Sequence, residues 1–216
     1  ATSSWYIGQD IEKTSEIDDY MVADIYWQSG GTITYSVEPN QFLTLSRGKP
    51  NTFFVRFLWP WDFMTSPKDL LMAEAMSAIA NGNSVIIIDH YNNDGTIEES
   101  VYDLIGKVFA EVEKREEWLH GIKPIHYAAL HFSQNTRDFY WRDNPRGYHT
   151  GYLAAYKVLL ESHVPSSCIF DKNLNLQQLS MFKVLVLPNT ACLTEEQADL
   201  IRNYVKRGGG LVATYK

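Results

Sequence analysis

The sequence has little cysteine and no excess of positive charge. Its 216 residues include two cysteines, Cys168 and Cys192, and no CxxC pair or zinc-ligand set, which excludes a disulfide scaffold and a structural zinc centre. We expect both thiols to be ordinary buried side chains, and we expect no metal or other cofactor. The formal net charge of -7 argues against a general binder of nucleic acid or of acidic membranes.

Long hydrophobic runs are also missing. No apolar stretch approaches the roughly 18–20 residues that span a bilayer, so we expect no membrane partner. The N-terminal ATSSWYIGQD lacks the basic and apolar regions of a signal peptide, which favours a cytoplasmic location without fixing it. The sequence begins without an initiator methionine, and we therefore expect residues upstream of Ala1.

From about residue 50 onward, strand and helix patterns alternate. NTFFVRFLW and SVIIIDH are typical of buried strands, because their apolar runs are continuous. A helix pattern follows each of them. We expect Ser66 to be the N-cap of the first helix, and Thr96 with Glu99 to form a capping box on the second. This alternation predicts an α/β fold in which helical crossovers join parallel strands.

A second unit is predicted after GIKP, and its last part has a recognisable pattern. In LQQLSMFKVLVLPNTACLTEEQADLIRNYVKRGGGLVATYK, a leucine-rich lead-in precedes a strand ending in LPN. A helix capped by Thr194 and Gln197 follows, and then GGGLVAT. The combination resembles the middle domain through which some beta-galactosidases trimerise, a domain similar in fold to class I glutamine amidotransferases. The helix GYLAAYKVLLESHVP fits the same pattern.

This resemblance implies a flavodoxin-like or amidotransferase-like parallel sheet over residues 125–216. It also implies a role in assembly, so we expect a homo-oligomer. Amidotransferase chemistry is not expected, because Cys192 lacks the glycines of a nucleophile elbow.

The first half is similar to what precedes such a domain in these enzymes. MAEAMSAIANGNSVIIIDHYNNDGTIEESVYDLIGKVFAEVEKRE resembles the closing helix, strand and helix of a (β/α)8 barrel. On this alignment residues 1–124 are the C-terminal part of a TIM-like barrel, and VRFLW is its seventh strand. A whole barrel takes about 250 residues, so we expect the chain to be a piece of a longer protein. The resemblance implies a glycoside hydrolase that acts on a carbohydrate.

The stretch VRFLWPWDFM places two large rings and an acid after a predicted strand. At the carboxyl end of a barrel strand, Trp59 and Trp61 can stack on a sugar while Asp62 binds its hydroxyls. Equally, both rings can pack the barrel rim while Pro60 ends the strand. The candidate substrate-binding residues are Arg56, Trp59, Trp61, Asp62 and His90.

The candidate catalytic carboxylates are Asp89, Asp10 and Glu12. Asp89 ends the strand SVIIIDH, whereas Asp10 and Glu12 follow a possible strand, WYIGQ. Glycosidases need two carboxyl groups, and beta-galactosidases of the resembling type carry a glutamate on the seventh strand, where VRFLWPW has no acid. We therefore expect at least one essential carboxylate from outside this chain. The same gap keeps an alternative open, which is a non-catalytic carbohydrate-binding or oligomerisation module.

Overall fold

The computed structural model describes residues 9–19, 21–25, 33–46, 51–55, 64–119, 121–125 and 127–215. These residues form two compact units. The first contains the described residues from 19 to 123, and the second contains residues 9–18 together with those from 124 onward. Residues 9–18, which include helix α1 (Ile11–Ile17), were expected in the first domain on sequence grounds, but their contacts group them with the second unit.

The first unit contains a parallel sheet with strand order β1-β2-β3. Because strands and helices alternate along the chain, this agrees with the predicted parallel α/β arrangement. The last residues of β2 and β3, Val55 and Ile88, are partners in register, so both strands end at the same edge. The described elements of this unit are β1 (Val22–Ile25), α2 (Thr34–Leu45), β2 (Asn51–Val55), α3 (Lys68–Ala80), β3 (Ser84–Ile88), α4 (Glu99–Glu113) and α5 (Glu116–Leu119).

Both caps predicted for the helices of this unit are wrong. Pro67, not Ser66, occupies the N-cap of α3, and no side chain caps that helix. Helix α4 has Glu98 at its N-cap, while Thr96 is held two residues earlier, where its N–H and hydroxyl both donate to Asp94, at 3.0 and 2.7 Å. The Thr96 side chain, which the sequence pattern predicts as a helix cap, is therefore bonded within the turn at Asp94 instead.

Strand β3 is less buried than its sequence predicts. Its residues, SVIII, make a nearly continuous apolar run, yet every one of them is half-buried or exposed, and Ile86 is 38% accessible. Among the described residues, one face of β3 packs on helices α3 and α4. Val85 and Ile87 of the strand contact a fully buried cluster of helix residues, Leu71, Ala75 and Val108. Parallel strands of this composition are normally covered on both faces.

A buried acid joins α2 and α3. Glu74 is 4% exposed and shares a hydrogen bond with the Tyr35 hydroxyl, and burial raises the pKa of its carboxyl to about 7. The folded state favours the protonated Glu74 carboxyl. The stability that this protonated carboxyl contributes to the fold is therefore fully present below the ordinary pKa of 4.5 and is lost as the pH rises through about 7. We expect Glu74→Gln to stabilise the first unit by about 3 kcal/mol at about pH 8 and to leave it unchanged at about pH 4.

Urea denaturation at the two pH values measures this difference. Glu113→Gln makes the same chemical change at an exposed position on α4 and is the matched control. An equal effect of Glu74→Gln at both pH values would contradict the pH dependence, since it would mean that ionisation of Glu74 costs nothing in the fold.

The second unit contains a four-stranded parallel sheet with strand order β5-β4-β6-β7. Helix α8 has the predicted capping box of Thr194 and Gln197, and Gly208, with φ of 95°, follows its last turn. From residue 124 onward the elements are β4 (Ala128–Phe132), a π-helical turn (Thr136–Tyr140), α6 (Pro145–Glu161), β5 (Ser166–Phe170), a 3-10 turn (Asp171–Asn173), α7 (Leu176–Leu179), β6 (Val184–Leu187), α8 (Glu195–Lys206) and β7 (Gly210–Ala213).

The core of the second unit lies on both faces of β4, whose five side chains are all buried. On one face Phe132 meets the rings of Tyr148, Tyr152 and Phe170 at centroid distances of 5.4, 5.1 and 5.8 Å. The other cluster consists of Ala129, Ile169, Leu174, Leu179, Phe182, Leu185, Leu187, Ile201 and Tyr204. In the part of the chain that the structure describes, none of the helices is long and apolar enough to cross a membrane.

Candidate functional site

Asp89 and His90 lie at the carboxyl end of β3, beside the carboxyl end of β2. Asp89 is half-buried and accepts a hydrogen bond from the His90 backbone N–H at 2.7 Å, whereas the His90 side chain is exposed. This is the edge at which α/β enzymes with parallel strands bind their substrates. Two of the predicted site residues, which are neighbours in the sequence, therefore lie at this edge, and their roles stay predictions.

Four predicted substrate-binding residues lie outside the described residues, namely Arg56, Trp59, Trp61 and Asp62. Their segment follows Val55, the last residue of β2, directly in the sequence. Their role in binding stays a prediction.

Asp10 begins helix α1. Its carboxylate caps the helix by accepting a hydrogen bond from the Lys13 N–H at 2.9 Å, and it forms an ion pair with the Lys13 amine at 3.4 Å. Burial alone would raise the pKa of Asp10, but hydrogen bonds from Lys13 and from the Gln134 side chain leave it below the ordinary value. These partners give Asp10 a structural task at the start of α1.

Within the second unit, Glu12 holds α1 against the segment that follows β5. It is 8% exposed, and its Oε2 accepts a hydrogen bond from the Lys172 backbone N–H at 2.8 Å, just after β5. The Lys172 amine in turn donates to the Glu12 carbonyl oxygen at 3.2 Å and to the Ser15 hydroxyl at 2.5 Å. Burial raises the pKa of Glu12 to about 7, although the Lys172 N–H opposes this. Asp10 and Glu12 are thus grouped in the second unit, and Asp89 with His90 in the first.

A second attachment of the N-terminal segment is made by Arg137, which is 1% exposed. Its Nη1 donates to the carbonyl oxygen of Gln9 at 3.1 Å, and its Nε donates to Asp138 at 2.7 Å. A buried guanidinium whose partners are a carbonyl and an adjacent carboxylate holds both in fixed positions.

Sequence reasoning missed a polar cluster centred on Asp171, which directly follows β5. Its Oδ1 lies 3.0 Å from Nε2 of His131, while Oδ2 accepts from the Asn135 N–H at 3.1 Å and from the Ser133 hydroxyl at 3.5 Å. Burial would raise the pKa of Asp171, but His131 and the other donors bring it below the ordinary value. The strand-end reasoning that selected Asp89 would also have selected Asp171.

The residue types in this cluster are those of a Ser-His-Asp triad, but the geometry is different. Ser133 contacts the carboxylate rather than the imidazole, and His131 is fully buried. A nucleophilic serine needs its base within hydrogen-bond reach and access to substrate. The cluster instead joins the carboxyl ends of β4 and β5.

The two cysteines differ in their burial. Cys168 is fully buried, which raises its thiol pKa to about 12, and Cys192 is half-buried. Among the described residues, no group of three or more His, Cys, Asp or Glu side chains is arranged to hold a metal ion.

No protein-family model and no curated protein sequence matches the chain. Solved structures do match it. Alpha-L-fucosidase isoenzyme 2 from Paenibacillus thiaminolyticus superposes with a TM-score of 0.72 at 19% identity, over 99% of this chain and 32% of its own. A catalytic mutant of a GH42 beta-galactosidase from G. stearothermophilus superposes with a TM-score of 0.76 at 16% identity, over 95% of this chain and 34% of its own.

A beta-galactosidase from Bacillus circulans sp. alkalophilus gives a TM-score of 0.76 at 15% identity, over 94% of this chain and 33% of its own. The chain thus spans about a third of the length of these solved proteins. At such low identity the likeness is one of fold: this chain is a mixed α/β protein with parallel sheets, similar to part of a GH42 beta-galactosidase.

Proposed function

We propose that the chain is part of a glycoside hydrolase that acts on a carbohydrate. The observation that carries the proposal is the carboxylate of Asp89 at the carboxyl end of a parallel strand, in a fold similar to that of glycosidases. The names of the solved proteins indicate two different sugars, fucose and galactose. They therefore support a carbohydrate as the class of substrate, and they do not favour one sugar.

The architecture that we propose for this function has two parts. The sheet β1-β2-β3 would be the last part of a (β/α)8 barrel, which explains why the apolar residues of β3 are incompletely covered. The sheet β5-β4-β6-β7 has the strand order of a flavodoxin-like or amidotransferase-like domain, and we assign it a role in forming a homo-oligomer.

The chemistry would be acid/base cleavage of a glycosidic bond by two carboxyl groups. One group protonates the leaving oxygen, and the other acts as nucleophile or activates water. Asp89 is our choice for one of the pair. The second carboxyl would come from outside this chain, since β2 carries no acid. Asp10 and Glu12 have structural partners on the second unit, and their catalytic role stays a prediction.

A panel of aryl glycosides tests the proposal. We expect the native protein, purified from its source at its natural length, to hydrolyse at least one member of a panel that includes p-nitrophenyl α-L-fucopyranoside and p-nitrophenyl β-D-galactopyranoside. Release of p-nitrophenol at several pH values is the measurement. Absence of turnover across the panel would overturn the enzymatic function.

One observation favours a second candidate, a non-catalytic carbohydrate-binding or oligomerisation module. Strand β2, Asn51–Val55, carries no acid, although the resembling enzymes have a glutamate on the corresponding strand. Calorimetric titration with the free sugars distinguishes the candidates. Binding without turnover supports the module, whereas turnover excludes it.

A further inference from the structure

Helix α1 lies against the segments that follow two strands of the second unit, β4 and β5. The contact joins distant parts of the chain, because Glu12 and Lys172 are 160 residues apart. Ile11, Glu12 and Ser15 are the buried residues of the helix. A seven-residue helix is too short to be stable in water by itself. The helical form of α1 therefore depends on these contacts.

Two cations of the second unit hold the N-terminal segment in place. The Lys172 amine donates to the Glu12 carbonyl oxygen at 3.2 Å and to the Ser15 hydroxyl at 2.5 Å. Arg137, in the π-helical turn after β4, donates from Nη1 to the carbonyl oxygen of Gln9 at 3.1 Å. Departure of α1 would free these donors at the carboxyl ends of parallel strands, where α/β proteins bind ligands.

The carboxyl group of Glu12 is buried within this attachment. It is bonded to the Lys172 backbone N–H, while the Lys172 amine is directed to other oxygens of α1. Burial raises the pKa of Glu12 to about 7; the Lys172 N–H opposes this rise, and the negative charge of Asp171 adds to it. Ionisation of Glu12 would therefore place a second negative charge close to Asp171.

Other charges lie on every element that contacts α1. The charged and titratable side chains of these elements are Asp171 and Lys172 of the 3-10 turn, His131 of β4, Arg137 and Asp138 of the π-helical turn, and Asp10, Lys13 and Glu16 of the α1 segment itself. Glu12 is the one among them whose pKa is raised to about 7.

We propose that α1 is a lid over the carboxyl ends of β4 and β5, and that the lid opens when Glu12 loses its proton. The closed form binds the neutral carboxyl, so the stability that this group contributes is fully present below its ordinary pKa of 4.5 and is lost as the pH rises through about 7. Opening uncovers the strand ends and releases Lys172 and Arg137 from their partners. The inference concerns the second unit alone and does not rest on the proposed function.

Hydrogen exchange of the full-length protein at several pH values tests the lid. The probes are the amides of Thr14 and Asp18, which donate within the α1 segment to the carbonyl oxygens of Asp10 and Thr14 at 3.0 and 3.1 Å. We expect their protection factors, corrected for the intrinsic pH dependence of exchange, to fall about tenfold between about pH 6 and about pH 8. The amides of β4 should keep their protection over the same range.

Glu12→Gln removes the ionisable group and keeps an acceptor for the Lys172 N–H. Its Thr14 and Asp18 amides should show protection factors that agree within about threefold at the two pH values. Glu16→Gln makes the same chemical change at an exposed position of the same helix and is the matched control. This variant should keep the tenfold fall that is expected of the wild type.

Three outcomes would overturn the lid. The first is constant protection of the α1 amides in the wild type between the two pH values. The second is a fall in Glu12→Gln that equals that of the wild type, since the titrating group would then lie elsewhere. The third is a parallel loss of protection in α1 and β4, which would mean that the whole unit opens. Hydrolysis of aryl glycosides by the same wild-type preparation decides the enzymatic function separately.

Discussion

Asp89→Asn should lower kcat on the best aryl glycoside by about 10²–10⁴-fold, the range that a general acid or base contributes. Asparagine has nearly the same shape as aspartate and can still accept the hydrogen bond that the His90 N–H donates to Asp89. It cannot donate a carboxylic proton or carry a negative charge. The expected loss therefore reports the proton transfer or charge at this position rather than a change of fold.

The control for Asp89→Asn is Asp103→Asn. Asp103 is an exposed acid on α4 of the same unit, and the substitution removes the same charge. We expect its kcat to stay within about twofold of the wild type, as is usual for an exposed position away from a site. Steady-state kinetics on full-length protein measures both variants. Normal turnover by Asp89→Asn would remove Asp89 from the catalytic pair and return the search for the carboxyl groups to Asp10, Glu12 and segments outside this chain.

The sequence predicts the order of strands and helices in this fold. Both units show the alternation that the apolar runs and the helix patterns indicate. The capping box of Thr194 and Gln197 is confirmed, whereas the same signal is wrong at Thr96, where Asp94 offers the hydroxyl a competing acceptor. The position of Asp89 just after a strand agrees with its apolar run.

Contacts between distant parts of the chain could not be predicted in this way. Glu12 and Lys172 are 160 residues apart, and no periodicity in either segment shows that they meet. The same holds for the burial of β3, which depends on what covers the strand rather than on its own composition. Asp171 differs from these cases, because it directly follows a strand, as Asp89 does, and its position was accessible from the sequence pattern.

The largest effect on folding is expected at Asp171. Asp171→Ala should destabilise the second unit by about 3–5 kcal/mol, because removing one partner of a buried charged network leaves the others unsatisfied. The Nε2 of the fully buried His131 and the Asn135 N–H would both lose their acceptor. Urea denaturation, followed by hydrogen exchange of the β4 amides, measures this unit separately from the first.

Two comparisons distinguish loss of the network from loss of a surface charge. Asp199→Ala removes an exposed acid that pairs with Arg202 on α8, and we expect no measurable change in stability. The second comparison is pH. Since the pKa of Asp171 lies below its ordinary value of 3.8, the stability that the carboxylate contributes is present above that pH and is lost as the pH falls through the folded-state pKa.

The gap between wild type and Asp171→Ala should therefore narrow in acid. Burial lowers the pKa of His149 to about 4, so its protonation also destabilises the unit in this range. That contribution is common to both proteins and cancels when they are compared at the same pH. A gap that stays constant from neutral pH into acid would show that Asp171 acts through its size alone, and the cluster with His131 would then carry no charge-dependent energy.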